Sequence, residues 1–179
     1  MNVCLLLADG FEEIEAIGTF AILSRAGLKV DLFAVSGQDT TGRFGLTCTR
    51  LKPFSQLHAD NYQALVLPGG PGYHVLENNV QVAQLIKDFS AQGKVVAAIC
   101  ASPTILGKRG LLKGKHYTCF SAMNEDFGGT FTGEYAATDG NIVTGQSAAA
   151  TIDFAFAVVE KLLGKAKADE VKKSIYYKK

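Results

Sequence analysis

Two residue types in this chain suit covalent chemistry without a cofactor: a cysteine in a tight bend and a carboxylate set apart from its neighbours. Cys100 stands in Lys94-Val95-Val96-Ala97-Ala98-Ile99-Cys100-Ala101-Ser102-Pro103. Residues 95–99 form a short unbroken apolar run, as expected of a parallel strand buried on both faces. Ser102 suits an N-cap and Pro103 a first helical position, so a helix should start there. Cys100 then falls in the bend between strand and helix, with small residues two positions either side, the layout of a nucleophile elbow with cysteine for serine. The helix amides and dipole predict a stabilised thiolate and a lowered thiol pKa. A free cysteine is more often a small buried hydrophobe, and the elbow position is what sets Cys100 apart.

Glu12, Glu13 and Glu15 open the first helix, where acids suit the dipole whatever else they do. The helical wheel separates them. Glu15 shares a face with Ile22, seven residues on, at the border of the apolar stripe, while Glu12 and Glu13 point elsewhere. A half-buried Glu15 near the end of the first strand should have a raised pKa and keep a proton near neutral pH.

A third stretch completes the candidate site. Pro68-Gly69-Gly70-Pro71-Gly72 follows directly on an apolar strand, and glycine lets a backbone amide approach a ligand. It has neither the spacing of a dinucleotide-binding turn nor the Lys-Ser/Thr of a phosphate loop. The amides of Gly70 and Ala101 together offer an oxyanion hole; a plain strand-to-helix turn reads equally well from the residues alone. Arg50, at the end of a Thr-rich stretch, is a surface charge or an anion anchor. Of the three histidines, His74 follows the glycine turn, whereas His58 and His116 lie in polar surroundings. No Cys-His-acid set appears, which argues against peptidase or amidotransferase chemistry.

The elements that must position these groups alternate. Strands are expected over 3–7, 29–35, 64–67 and 95–99, and helices over 12–25 and 79–92. Val82, Leu85, Ile86 and Phe89 form the inner stripe of the second of these helices. Residues 40–51 read as a hairpin or edge strands, 117–120 as a strand, and 134–138 with 141–144 as a hairpin about Asp139-Gly140. An apolar helix over 147–163 must be buried, Gly164 caps it, and a Lys-rich last helix follows. The pattern is that of one α/β domain over residues 1–179, with a mostly parallel central sheet and helices on both faces.

Bulk properties exclude several classes. A hydrophobic content of 47% against 20% charged residues marks a folded chain, and a net charge of +1 gives no electrostatic case for nucleic acid. No apolar run is long enough for a membrane span and no signal-peptide layout appears, so reduced thiols in the cytoplasm are expected. Cys4, Cys48, Cys100 and Cys119 are widely spaced with no CxxC pair, which argues against a metal site.

Ala8-Asp9-Gly10-Phe11-Glu12-Glu13-Ile14-Glu15, Leu67-Pro68-Gly69-Gly70 and Ala98-Ile99-Cys100-Ala101-Ser102-Pro103 resemble the ThiJ/PfpI superfamily, within it the branch of the parkinsonism-associated deglycase and its bacterial relatives. The resemblance runs in order over nearly the whole chain. It implies a flavodoxin-like sandwich and a homodimer, with Cys100 as reactive cysteine, Glu15 as conserved acid, and Gly70 and Ala101 as oxyanion amides. Gly69, Arg50, Cys119 and His74 become possible substrate contacts. The implied activity is cofactor-free conversion of small 2-oxoaldehydes through a Cys100 hemithioacetal, with Glu15 as proton shuttle. The alternative is an oxidative-stress sensor or chaperone whose Cys100 oxidises without turnover. Two departures stand out: Cys119 occupies the position where some members carry a histidine, and Gln146 that of a second arginine.

Overall fold

The computed structural model describes residues 1–178. Seven strands form the central sheet: β1 (Asn2–Leu7), β2 (Lys29–Ala34), β5 (Lys52–Pro53), β6 (Ala64–Leu67), β7 (Val95–Ile99), β10 (Ala136–Asp139) and β11 (Ile142–Gly145). Two small ribbons stand apart from it, β3 (Thr40–Thr41) with β4 (Thr47–Cys48), and β8 (His116–Tyr117) with β9 (Thr130–Phe131). The sheet order is β10-β11-β7-β6-β1-β2-β5, and every neighbouring pair is parallel except β10 with β11. This is the α/β arrangement expected from the alternating pattern and the flavodoxin-like one implied by the resemblance.

Strand sequences explain why both faces are covered. In β1, Val3, Leu5 and Leu7 enter one core while Cys4 and Leu6 enter the other; in β7, Val95, Ala97 and Ile99 divide from Val96 and Ala98 in the same way. Period-2 alternation of wholly apolar strands therefore builds two cores at once. The first is closed by α1 (Glu13–Arg25), α5 (Thr151–Leu163) and α6 (Lys165–Ser174), the second by α2 (Tyr73–Asn78), α3 (Val80–Ala91) and α4 (Pro103–Lys108). The buried residues of α3 are Val82, Leu85, Ile86 and Phe89, as its 3.6-residue period requires, and each contributes about 1.5–3 kcal/mol by burial. Helices α1 and α5 approach so closely that a Cβ on Gly18 would lie 2.8 Å from Thr151 Cγ2.

The chain leaves β1 toward β2 and β5 on one side, then returns to β6, β7, β11 and β10 on the other. The switch falls between β1 and β6, and the crevice beyond their carboxyl ends is where open α/β sheets hold ligands. Glu15 follows β1, Gly69 and Gly70 follow β6, and Cys100 follows β7.

Some elements differ from expectation. Of residues 117–120 only Tyr117 is in a strand, because the chain then bends so that the Phe120 N–H donates to the Cys100 carbonyl (2.7 Å). The late apolar helix starts as a 3-10 turn over Ala148–Ala150 and becomes α-helical at Thr151. Ser102 takes the N-cap position before Pro103, as expected, but its backbone is already helical (φ −67°, ψ −26°) and its side chain makes no capping bond. Among the described residues no helix is long and apolar enough to cross a membrane.

Asn79 is the N-cap of α3, its Oδ1 accepting from the N–H groups of Gln81 (2.9 Å) and Val82 (3.1 Å). Asn79→Ala is expected to cost about 1 kcal/mol, read as a melting temperature lower by about 2–4 °C in differential scanning calorimetry.

Candidate active site

Cys100 has φ +65°, a left-handed conformation that a side-chain-bearing residue rarely adopts. Its backbone is tied on both sides: its N–H donates to the Gly145 carbonyl (2.9 Å), and its carbonyl accepts from Phe120 (2.7 Å). The strain therefore resides in a peptide that its neighbouring strand and loop hold in place, and it turns the sulfur outward from the end of β7. There the sulfur meets the backbone N–H groups of Gly70 and Ala101, the two amides proposed from the sequence, and the carboxyl of Glu15.

Glu15 is 1% exposed, more deeply buried than the half-buried position its helical wheel suggests. Its Oε2 accepts from the Gly69 N–H (2.8 Å), and the carboxyl lies against Cys100 across Gly69. Oε1 is buried and receives no N–H or O–H from the described residues. A carboxyl with one satisfied and one unsatisfied oxygen is suited to carry its proton on the second. Burial, reinforced by the nearby Glu12 charge, pushes the Glu15 pKa up to about 7, against smaller opposing effects of Gly69, Cys100 and Arg43.

The Cys100 thiol runs opposite to the sequence expectation. Burial, then the charge of Glu15, pushes it up to about 12, although the Gly70 and Ala101 amides pull the other way. A helix dipole and two amides at an elbow are readable from local sequence; how deeply a carboxylate from α1 is buried against the same sulfur is not.

Two glycines are required by contact. A Cβ on Gly69 would stand 2.7 Å from Cys100 Cβ and 2.8 Å from Glu15 Oε2, so only glycine lets the acid and the cysteine meet across it. Gly70 has φ +78°, and its Cβ would fall 2.5 Å from the Glu12 nitrogen.

The other expected contacts are placed differently. Arg50 is exposed, with φ +56° and its N–H bonded to Asp39 Oδ1 (3.0 Å); no side-chain bond joins it to the site. The guanidinium that acts on Glu15 is that of Arg43, which pairs with Glu12 Oε2 (3.3 Å). Arg43 sits at the tip of the β3–β4 ribbon, which docks on the start of α1. There Glu13 Oε1 accepts from the Phe44 N–H (2.7 Å), Asp9 Oδ1 from Thr41 (2.9 Å), and the Phe11 carbonyl from Arg43 (2.9 Å). A hairpin or two edge strands over 40–51 was legible in the sequence, but not its docking on α1, so Arg43 carried no signal there. The His74 ring stacks on Tyr73 with its Nδ1 4.0 Å from Glu77, and makes no bond to Cys100 or Glu15. Cys119 lies in the second core, its thiol turned to the Phe120 carbonyl (3.6 Å) and Asn124 (3.9 Å), and burial pushes it up to about 11. Gln146 Nε2 donates to the Gly133 carbonyl (3.0 Å). Among the described residues no cluster of His, Cys, Asp and Glu could hold a metal ion.

The raised Glu15 pKa makes stability depend on pH. The unfolded carboxyl titrates at about 4.5 and the folded one at about 7, so the folded state binds the extra proton between these values. The associated stability is present below about pH 4.5 and is lost as pH rises through about 7. Glu15→Gln has no such loss. It is expected to gain on wild type by about 3 kcal/mol between pH 5 and pH 8 in urea titrations, with the gain absent if Glu15 titrates normally.

The DJ-1/PfpI family profile matches residues 1–161. Protein dj-1beta of Drosophila melanogaster is 31% identical over 184 residues, covering 97% of this chain and 96% of that protein. Its crystal structure superposes with a TM-score of 0.92 at 29% identity, covering 99% of this chain and 98% of that one. A protein named a deglycase in Pyrococcus abyssi is 32% identical over 126 residues, 70% of this chain and 76% of its own length. Profile, sequence and superposition all span the segments that carry Glu15, Gly69–Gly70 and Cys100, and this chain belongs to the DJ-1/PfpI family.

Proposed function

We propose that the chain converts small 2-oxoaldehydes such as methylglyoxal to 2-hydroxy acids, without a cofactor. The observation that carries this reading is the contact between the Cys100 sulfur, two backbone amides and a buried carboxyl whose pKa lies near neutrality. A carboxyl at about 7 gives and takes a proton with equal ease at the working pH, which general acid–base catalysis requires. The relative named a deglycase in Pyrococcus abyssi adds weight to an aldehyde-derived substrate.

In this reaction the sulfur attacks the aldehyde carbon while Glu15 takes the thiol proton, and the Gly70 and Ala101 amides hold the oxygen as it gains charge. Glu15 returns that proton to the oxygen, giving a neutral hemithioacetal and a free carboxylate. The carboxylate then moves the proton of the former aldehyde carbon to the neighbouring carbon, while the hydroxyl proton on the first carbon passes to the ketone oxygen. The first carbon is thereby oxidised to a thioester and the ketone reduced to an alcohol. Water cleaves the C–S bond, releasing the hydroxy acid and restoring the thiol. Proton transfer to the sulfur's partner also answers how a thiol at about 12 reacts near neutrality: its proton has a receiver in direct contact.

One observation favours a second reading. No imidazole bonds to the pair, and by the family resemblance Cys119 takes the position where some members carry histidine. In that case Cys100 takes oxygen from two hydroperoxide molecules to become a sulfinate, with no turnover. Lactate formation from methylglyoxal separates the two. An enzyme should lose all activity in Cys100→Ser and at least ~100-fold in Glu15→Gln. Wild type that forms no lactate, yet gains two oxygen atoms on the Cys100 peptide under peroxide, would select the sensor.

We further read α1 and the β3–β4 ribbon as a homodimer face. Ile14 is 53% exposed and Phe44, beside Glu13, is 75% exposed. Ile14, Ile17 and Ala21 recur at helical spacing on the side of α1 away from its buried Glu15, Ala16, Thr19, Ile22 and Leu23. Light scattering at micromolar concentration is expected to give twice the monomer mass for wild type and the monomer mass for Ile14→Glu; a monomeric wild type counts against this face.

A further inference from the structure

Ser102 is fully buried, follows Cys100 by two residues, and does not cap the helix it precedes. Its hydroxyl donates instead to the carbonyl of Pro68, at 2.6 Å. That carbonyl and the Gly69 N–H belong to one planar peptide unit and point in opposite directions. The N–H end is the one that donates to Glu15 Oε2, at 2.8 Å. The Pro68–Gly69 peptide is therefore held at its oxygen by Ser102 and at its nitrogen by Glu15. We infer that Ser102 is a positioning residue of this site: by fixing the Pro68–Gly69 peptide it aims the Gly69 N–H at Glu15, and so sets the acid against Cys100.

Three features make this more than a buried hydroxyl finding a partner. Gly69 has no side chain to pack, so the hydrogen bonds at the two ends of that peptide, with the Glu12 N–H on the Gly69 carbonyl (3.0 Å), are what orient it. The next residue, Gly70, supplies an amide to the Cys100 sulfur, so a rotated Pro68–Gly69 peptide would disturb both members of the pair. Ser102 itself lies in the same turn as Cys100, its N–H bonded to the Ile99 carbonyl (3.1 Å). The hydroxyl thus ties the cysteine's bend directly to the glycine turn that holds the acid. This role rests on the reading of Cys100 and Glu15 as the reactive pair, but its test does not need turnover.

The Glu15 carboxyl carbon can be followed by NMR in protein labelled with carbon-13 glutamate, from about pH 5 to about pH 9, with Glu15→Gln identifying its signal. Wild type should titrate with a midpoint at about 7. Ser102→Ala releases the peptide, Glu15 loses the N–H that favours its charged form, and the midpoint should move up by about half a unit or more. Ser102→Thr keeps the hydroxyl and should titrate as wild type does. An unmoved midpoint in Ser102→Ala overturns the inference, and so does an equal shift in Ser102→Thr, since the hydroxyl would then not be the cause. Lactate formation is measured separately. An inactive wild type whose midpoint still moves in Ser102→Ala would remove the proposed reaction and leave the positioning role standing.

Discussion

The site depends on one carboxyl being kept out of water. Glu15 sits 1% exposed between a backbone N–H and a thiol. An isolated carboxylate there would be costly, and the protein meets that cost with a single strong donor and a raised pKa rather than with a full ion pair. Arg43 is the nearest cation that acts on it, but its guanidinium is bound to Glu12 instead. A direct guanidinium–carboxylate contact would hold Glu15 ionised and remove its use as an acid. The division of labour between Glu12, which takes the arginine, and Glu15, which does not, is what leaves a protonatable carboxyl beside Cys100.

The second constraint is backbone strain. A cysteine at φ +65° costs on the order of 1–3 kcal/mol and persists only where its surroundings over-determine it. Here they do: β7 lies between β6 and β11, the Cys100 N–H is committed to Gly145, and its carbonyl to Phe120. The strain and the sheet order are therefore linked. The sheet brings three strand ends into one crevice, and the strained residue turns its side chain into that crevice instead of back into either core.

Sequence periodicity reported the fold well because its determinants are local and repeated. Apolar runs of strand length, the Val82, Leu85, Ile86 and Phe89 stripe, and glycines such as Gly27 and Gly164 at helix ends are each readable within a few residues. Cys100, Glu15 and the glycine turn were legible for the same reason, as three short motifs. What was not legible depends on contacts between distant segments. Ser102 looked like a cap because cap preference is local, but its hydroxyl finds Pro68, thirty-four residues earlier. Arg50, at the end of a strand-like stretch, reads as a surface charge or an anion anchor; it is a surface charge, while the ribbon folds back so that Arg43, at its tip, lies over α1. The direction of the Cys100 pKa was misread for a related cause: a helix dipole can be counted from sequence, whereas the burial of a partner carboxylate cannot.

The position of Cys119 fixes where protons can travel. Its thiol belongs to the second core, turned toward Asn124 and the Phe120 carbonyl, and at about 11 it neither gives nor takes a proton near neutral pH. Gln146 is a neutral amide bonded to the Gly133 carbonyl. With His74 held by Tyr73 and Glu77, the described residues offer one group in contact with Cys100 that titrates near neutrality, and that group is Glu15. Any chemistry at this sulfur, whether addition to an aldehyde or attack on a peroxide, must then pass its proton through Glu15 or directly to water. A pair of this kind is sensitive to the orientation of a single peptide, since among the described residues the Gly69 N–H is the only donor hydrogen-bonded to the carboxyl.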